Sequence, residues 1–119
     1  MKKIAFAVDE NKGLDSLLSQ HFGRCLYYIF VELDENKRIK RIEAKRNPFF
    51  QGHAPGLIPQ FIAEQGADTV VAGGMGWRAI EWFRKLGIKP ITTEVRKVKD
   101  ILNDLISGKT LPAKPCDRE

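Results

Sequence analysis

Two short apolar runs, Asp68 to Ala72 (DTVVA) and Ile88 to Thr92 (IKPIT), are separated by a single helix-patterned segment, GGMGWRAIEWFRKLG. Both runs have the length and β-branched content of buried strands. Between them Ile80, Phe83 and Leu86 recur at helical spacing, and Gly87 stands where that helix must stop. A strand, one helix and a second strand pair in parallel through a right-handed crossover, which commits this half of the chain to an α/β sheet with helices packed on it.

The remaining segments extend that sheet. Lys3 to Val8 (KIAFAV) is an unbroken apolar run ending in Asp9, as expected of a central strand buried on both faces. The polar stretch DENKGLDS interrupts it, and Ser16 to Gln20 is read as one helical turn before HFGR, where Gly23 permits an unusual backbone angle. Cys25 to Leu33 (CLYYIFVEL) and Lys37 to Lys45, joined by DENK, form a β-hairpin, and the basic second strand belongs at a sheet edge. Asn47 to Gly56 (NPFFQGHAPG) is a loop. A helix follows from Leu57 to Gln65, with Pro59 tolerated in its first turn and Gly66 as its stop. A last helix is predicted over Glu94 to Ser107, capped by Thr93, with Val95, Val98, Leu102 and Leu105 on one face, Ile101 and Ile106 beside it, and Gly108 beyond its end. The expected fold is a three-layer α/β domain over residues 1–108. Its mixed five-stranded sheet has an antiparallel hairpin half and a parallel half, with helices on both faces; residues 109–119, containing Pro112 and Pro115, form a peripheral tail.

With 119 residues, 43% of them hydrophobic, the chain supplies one core and not two. The basic start is followed by only five apolar residues and then acid, so it reads as a strand and not as a leader or membrane span. A cytoplasmic location is expected, with Cys25 and Cys116 reduced. The net charge of +5 is local: residues 37–46 (KRIKRIEAKR) hold six basic residues and one acid, and the rest of the chain is balanced at 14 and 14. A solvated edge strand is the favoured reading of that run, above a surface for nucleic acid or an acidic partner. Tyr27 and Tyr28 lie on the preceding strand, whereas stacking platforms place aromatics among the basic residues.

Ligands of open α/β sheets bind beyond the carboxyl ends of the parallel strands. Three loops qualify: the one with Asp9, Asn11 and His21 to Arg24; NPFFQGHAPG; and Gly73 to Gly76. The sequence AGGMG follows a strand and opens a helix, so backbone N–H groups of Gly73, Gly74, Met75 and Gly76 can line an anion-binding concavity, or the glycines can simply permit a tight turn. Soft or borderline metal ligands are few: His21, His53, Cys25, Cys116 and the Met75 thioether, with no CxxC or HxxxH pair. A cluster arriving already assembled could still be held by one or two of them. His53 in its Gly/Pro loop is equally a ligand or a loop histidine. His21 is a site residue or a turn-fixing one, Arg24 meets an anion or a carboxylate, and Cys25 is a ligand or a small buried hydrophobe. Trp77 and Trp82, five residues apart on one helix, do not share a narrow face, so one of them is expected to be partly exposed; core packing with amphipathic cover is favoured above a site-lining Trp77 just after the glycine turn. A nuclease needs converging carboxylates, and although Asp9 is suitably placed, Gly73 and Gly74 follow the Asp68 to Ala72 strand where a partner acid would stand.

Taken together, IAFAVDENKGLDSLLSQHFGR, NPF with GHAPG, and ADTVVAGGMGWRAIEWFRKLGIKP resemble the dinitrogenase iron-molybdenum cofactor biosynthesis family, the domain of NifX-like and NafY-like carriers and of the end of NifB. The resemblance covers about residues 3–108, and its motifs, HFG[RK], the loop histidine with glycines, and AGGMG, are specific in combination. It implies a ribonuclease-H-like sheet without nuclease activity. It also implies a non-catalytic carrier that binds an iron-sulfur or iron-molybdenum-sulfur cluster and passes it between donor and acceptor proteins, as a monomer or weak homodimer. Carried onto this sequence, it places cluster contact at His53 and Gly73 to Gly76, with His21 and Arg24 nearby. Gln51 stands where many relatives have a second loop histidine.

Overall fold

The computed structural model describes residues 1–50, 56–109 and 111–113. Along the chain these form β1 (Lys3–Val8), a 3-10 turn (Gly13–Asp15), β2 (Tyr27–Leu33), β3 (Ile39–Arg46), α1 (Leu57–Glu64), β4 (Thr69–Ala72), α2 (Trp77–Lys85), β5 (Lys89–Thr92) and α3 (Val98–Ile106). The five strands make one sheet in the order β3-β2-β1-β4-β5. β1 is antiparallel to β2 and β2 to β3, whereas β1 and β4, and β4 and β5, are parallel. This is the mixed, ribonuclease-H-like arrangement expected from the sequence.

The alternation of side chains along each strand explains why helices cover both faces. Ala5, Ala7, Tyr28, Phe30, Val70 and Ala72 point to one face and are covered by Ile58 and Ile62 of α1 and by Ile80 and Phe83 of α2. Ile4, Phe6, Val8, Ile29, Val31 and Val71 point to the other, where Val98, Ile101, Leu102 and Leu105 of α3 cover them. β1, apolar from Ile4 to Val8, feeds both layers, and this is why its run shows no alternation in the sequence. Pro59 lies in the first turn of α1, where no intrahelical N–H is lost. Gly66, Gly87 and Gly108, just past the three helices, take left-handed angles of 83°, 75° and 87° that a Cβ would strain.

Three expectations are corrected. Ser16 to Gln20 is not a helical turn: Leu18 bridges Val8, Leu17 bridges Lys97, and the tight turn lies earlier, at Gly13–Asp15. For the same reason the last helix begins at Val98 and not at Glu94. The backbone before it is occupied in pairing, with Leu18 N–H donating to Arg96 O (2.9 Å) and Val98 N–H to Ser16 O (2.9 Å). Lys97, not Thr93, therefore holds the N-cap position, and Val95 is exposed. Finally, both tryptophans and not just one are exposed, Trp77 and Trp82 retaining half and two-fifths of their surface, and α2 is anchored to the core by buried Ile80 and Phe83 with Ala79 beside them. The described part of the tail runs beside β5, with Thr92 N–H donating to Pro112 O at 3.3 Å.

Candidate functional site

The sheet register brings four connections to one rim. Val8 stands opposite Tyr27, Tyr27 opposite Arg46, and Ala72 opposite Thr92. The ends of β1, β3, β4 and β5 and the start of β2 therefore lie together, and residues 9–26, 47–50, 73–76 and 93–97 all leave the sheet there.

These connections are stitched by main-chain hydrogen bonds. Ser19 N–H donates to Ala7 O and Gly73 N–H to Ser19 O, both at 2.7 Å, while Phe22 N–H donates to Gly74 O at 3.0 Å. The HFGR segment is thus strapped onto the glycine turn. Buried Ser19 completes the strap, its Oγ accepting from His21 N–H and donating to His21 O, each at 3.2 Å. The strap also explains Gly73. A Cβ there would stand 2.8 Å from Ser19 O and 3.0 Å from Gln20 Cα, so the glycine is required by chain against chain.

Beneath the strap lies an apolar floor. The Phe22 ring packs edge-on against Phe83, with centroids 5.1 Å apart, and tilted against Tyr28 at 5.7 Å. The Phe22 carbonyl accepts from the Tyr28 hydroxyl at 2.8 Å and the Cys25 thiol at 3.3 Å. Both donors are buried, and burial pushes the Cys25 thiol up to about 12 and the Tyr28 hydroxyl well above its ordinary value. The Cys25 thiol is fully interior and already engaged with the Phe22 carbonyl. Of the two readings of Cys25, the geometry favours the small buried hydrophobe.

Asn47, which sequence reasoning passed over, holds the next loop to this floor. It is buried, its Nδ2 donates to Cys25 O (2.9 Å) and Gly23 O (3.2 Å), and its Oδ1 accepts from Phe49 N–H at 2.9 Å. An asparagine directly between a strand and a proline was the available signal. At the far end of the same loop Gly56, at φ 87°, lies under Trp82, whose ring would be 2.9 Å from a Cβ placed there. Asn47 and Gly56, which flank that loop, are thus each packed against the rest of the domain. His53 itself, with Gln51, lies outside the described residues, as does Cys116.

The other candidates are divided by exposure. His21 and Arg24 are both exposed on the strapped segment, and among the described residues the His21 side chain makes no hydrogen bond and Arg24 no ion pair. The turn at His21 is fixed by its backbone and Ser19, not by its ring. Gly74 and Met75 are buried, and Met75, 1% exposed, packs into the α1–α2 core, which removes its thioether from the surface. Gly76, extended at φ −69° and ψ 157°, is the N-cap of α2. The first-turn N–H groups that follow it have no intrahelical acceptor and carry the positive end of the helix dipole. Arg78 in that turn lies over the Trp77 ring at 5.5 Å. Asp9 pins the strap, its Oδ1 accepting from Leu26 N–H at 3.3 Å. Among the described residues no three His, Cys, Asp or Glu side chains group as they would around a metal ion.

Comparison with known proteins gives this geometry a family. The model of the dinitrogenase iron-molybdenum cofactor family matches residues 2–108. The uncharacterised protein MJ0580 of Methanocaldococcus jannaschii is 31% identical over 111 residues, which cover 92% of this chain and 89% of that one. Among solved structures, the crystal structure of PH0822 is 35% identical with a TM-score of 0.80, covering 94% of this chain and 96% of its own. An NMR structure from Thermotoga, of a protein of the DUF35 family provisionally named NifB, has a TM-score of 0.73 at 21% identity and covers 100% and 99%. The apo form of the orange protein from Desulfovibrio gigas reaches 0.80 at 24% identity and covers 98% of each chain. The last two show the fold, and with the sequence matches the conclusion is direct: the chain belongs to the dinitrogenase iron-molybdenum cofactor family.

Proposed function

We propose that this protein is a non-catalytic carrier of a preassembled, anionic metal-sulfur cluster, an iron-sulfur or iron-molybdenum-sulfur species, bound at the rim where the HFGR segment is strapped to the glycine turn. The observation that carries the reading is this convergence: Arg24, His21 and the start of α2 share one rim with the anchored base of the loop that bears His53. Such a set suits a cluster that brings its own sulfide ligands. It needs few protein ligands and gains from cationic and N–H donors around its charge. A bare ion would need more donors than the described residues bring together. His53 is the proposed principal ligand, with His21 and Arg24 beside it; Cys25 and the Met75 thioether leave the ligand set because both are interior. Family membership supports a role in the biosynthesis or binding of such a cofactor.

The test is anaerobic reconstitution with iron, sulfide and molybdate, followed by metal analysis and absorption spectra. The wild-type protein is expected to take up stoichiometric metal and to colour, and His53→Ala to lose both while keeping its fold. Arg24→Ala should retain less metal at raised salt, because its contribution is charge. Failure of the folded wild type to take up any cluster overturns the reading.

A further inference from the structure

The two edges of the sheet are finished differently. β5 is four residues long, contains Pro90, which has no N–H to offer, and is flanked by the chain at Pro112. β3 is eight residues long, contains neither proline nor glycine, and among the described residues no strand pairs with its outer side. An open strand of that length presents alternate N–H and C=O groups to any extended chain of suitable character. Among the described residues it is guarded by its charge and by the register shift at Glu32/Leu33.

That charge is selective. Two copies of β3, each carrying four basic residues and one acid over Ile39–Arg46 and preceded by Lys37 and Arg38, repel one another, so self-pairing is disfavoured. An acidic chain is attracted. Inside the protein part of the charge is met, by Lys40 with Glu32, by Arg41 and Lys45 with Glu43, and by Lys45 donating to the Gln65 side chain; Lys40 and Arg41 are exposed, whereas Lys45, Glu32 and Glu43 are half-buried. Among the described residues Lys37, Arg38 and Arg46 make no ion pair.

The register specifies the partner further. Ile39 and Ile42 pair with Leu33 and Val31, which face α3, yet each is 41% exposed because that helix does not reach so far. Arg41 and Lys45 pair with Glu32 and Tyr28 and lie on the opposite face. An added strand therefore meets Ile39 and Ile42 on one face, with Arg46 at its end, and Arg41 and Lys45 on either side of Glu43 on the other, which fits apolar residues alternating with acids. A single-stranded nucleic acid fits less well. Residues 37–46 hold no aromatic, and Tyr28 on the neighbouring strand is buried with its hydroxyl engaged.

We propose that β3 is a docking edge for an extended acidic segment of a partner protein, which adds to the sheet as a sixth strand. The site is remote in function from the cluster rim and does not depend on it.

The probe is a labelled peptide as long as β3 that alternates glutamate and valine, titrated against the full chain by fluorescence anisotropy. A scrambled peptide of the same composition and a labelled oligothymidylate serve as comparisons. The alternating peptide is expected to bind, to weaken as salt is raised, and to lose about tenfold in affinity with the exposed double variant Lys40→Glu/Arg41→Glu. Amide exchange along Ile39–Arg46 should slow on binding. Ile42→Thr, which keeps the charge, should weaken the alternating peptide more than the scrambled one. No binding, equal binding of the scrambled peptide without slowed exchange, or tighter binding of the oligonucleotide would each overturn the proposal.

Discussion

Gly73 and Asn47 support the rim in opposite ways, one by having no side chain and the other by burying a polar one. Gly73→Ala forces a methyl group against Ser19 O and Gln20 Cα, and because both are backbone the strap itself must move. The variant should lose about 1–3 kcal/mol in urea unfolding, as overpacked sites do, and should loosen cluster retention as well. Asn47→Ala removes two donors and an acceptor from a buried site, leaving the carbonyl groups of Cys25 and Gly23 without this partner. A loss of about 1–3 kcal/mol is expected by the same measurement, with faster amide exchange in residues 47–50.

Among the elements, α3 depends most on what precedes it. The segment before it pairs with residues 16–18, and Arg96 reaches along the helix to Asp104 at 2.8 Å, where Lys109 adds a second cation at 3.3 Å. The hydrogen bond from Arg96 first, and then Lys109, hold the Asp104 carboxyl below its ordinary 3.8. A carboxyl lowered in the folded state stabilises the protein at neutral pH, and that contribution is lost as pH falls from the ordinary carboxylate range through the lower native value. Asp104→Asn should therefore be less stable than wild type near neutrality, and thermal melts should show the two converging as pH is lowered. Invariance of the difference with pH would mean that the pair contributes nothing.

The whole molecule is a sheet held between two apolar layers, and each layer has one side chain whose removal tests it. Phe83, fully buried, joins α2 to the floor of the rim, and Phe83→Ala should cost about 3–5 kcal/mol. Ile101, also fully buried, joins α3 to the opposite face, and Ile101→Ala should cost about 2–5 kcal/mol. Because β1 contributes to both layers, each variant should lower a single cooperative transition; two separate transitions would show that the layers unfold independently. No helix among the described residues is long and apolar enough to cross a membrane.

Local patterns were enough to read strands, helices and topology, because burial on one or two faces leaves a period in the chain: KIAFAV for a central strand, Ile80 and Phe83 for a covering helix, Gly66 and Gly87 for helix ends. The same reasoning located the rim, since parallel strands must deliver their loops to one end. What failed did so where a residue's role depended on chain distant in sequence. Ser16 to Leu18 carry no signal that they pair with residues 96–98, and Gly73 looks alike whether a ligand or Ser19 stands against it. Trp77 and Trp82 share the apolar character of Phe83, but only the packed position of α2 leaves them exposed. Periodicity belongs to the sequence alone, whereas exposure, partner and protonation depend on what the fold brings alongside each residue.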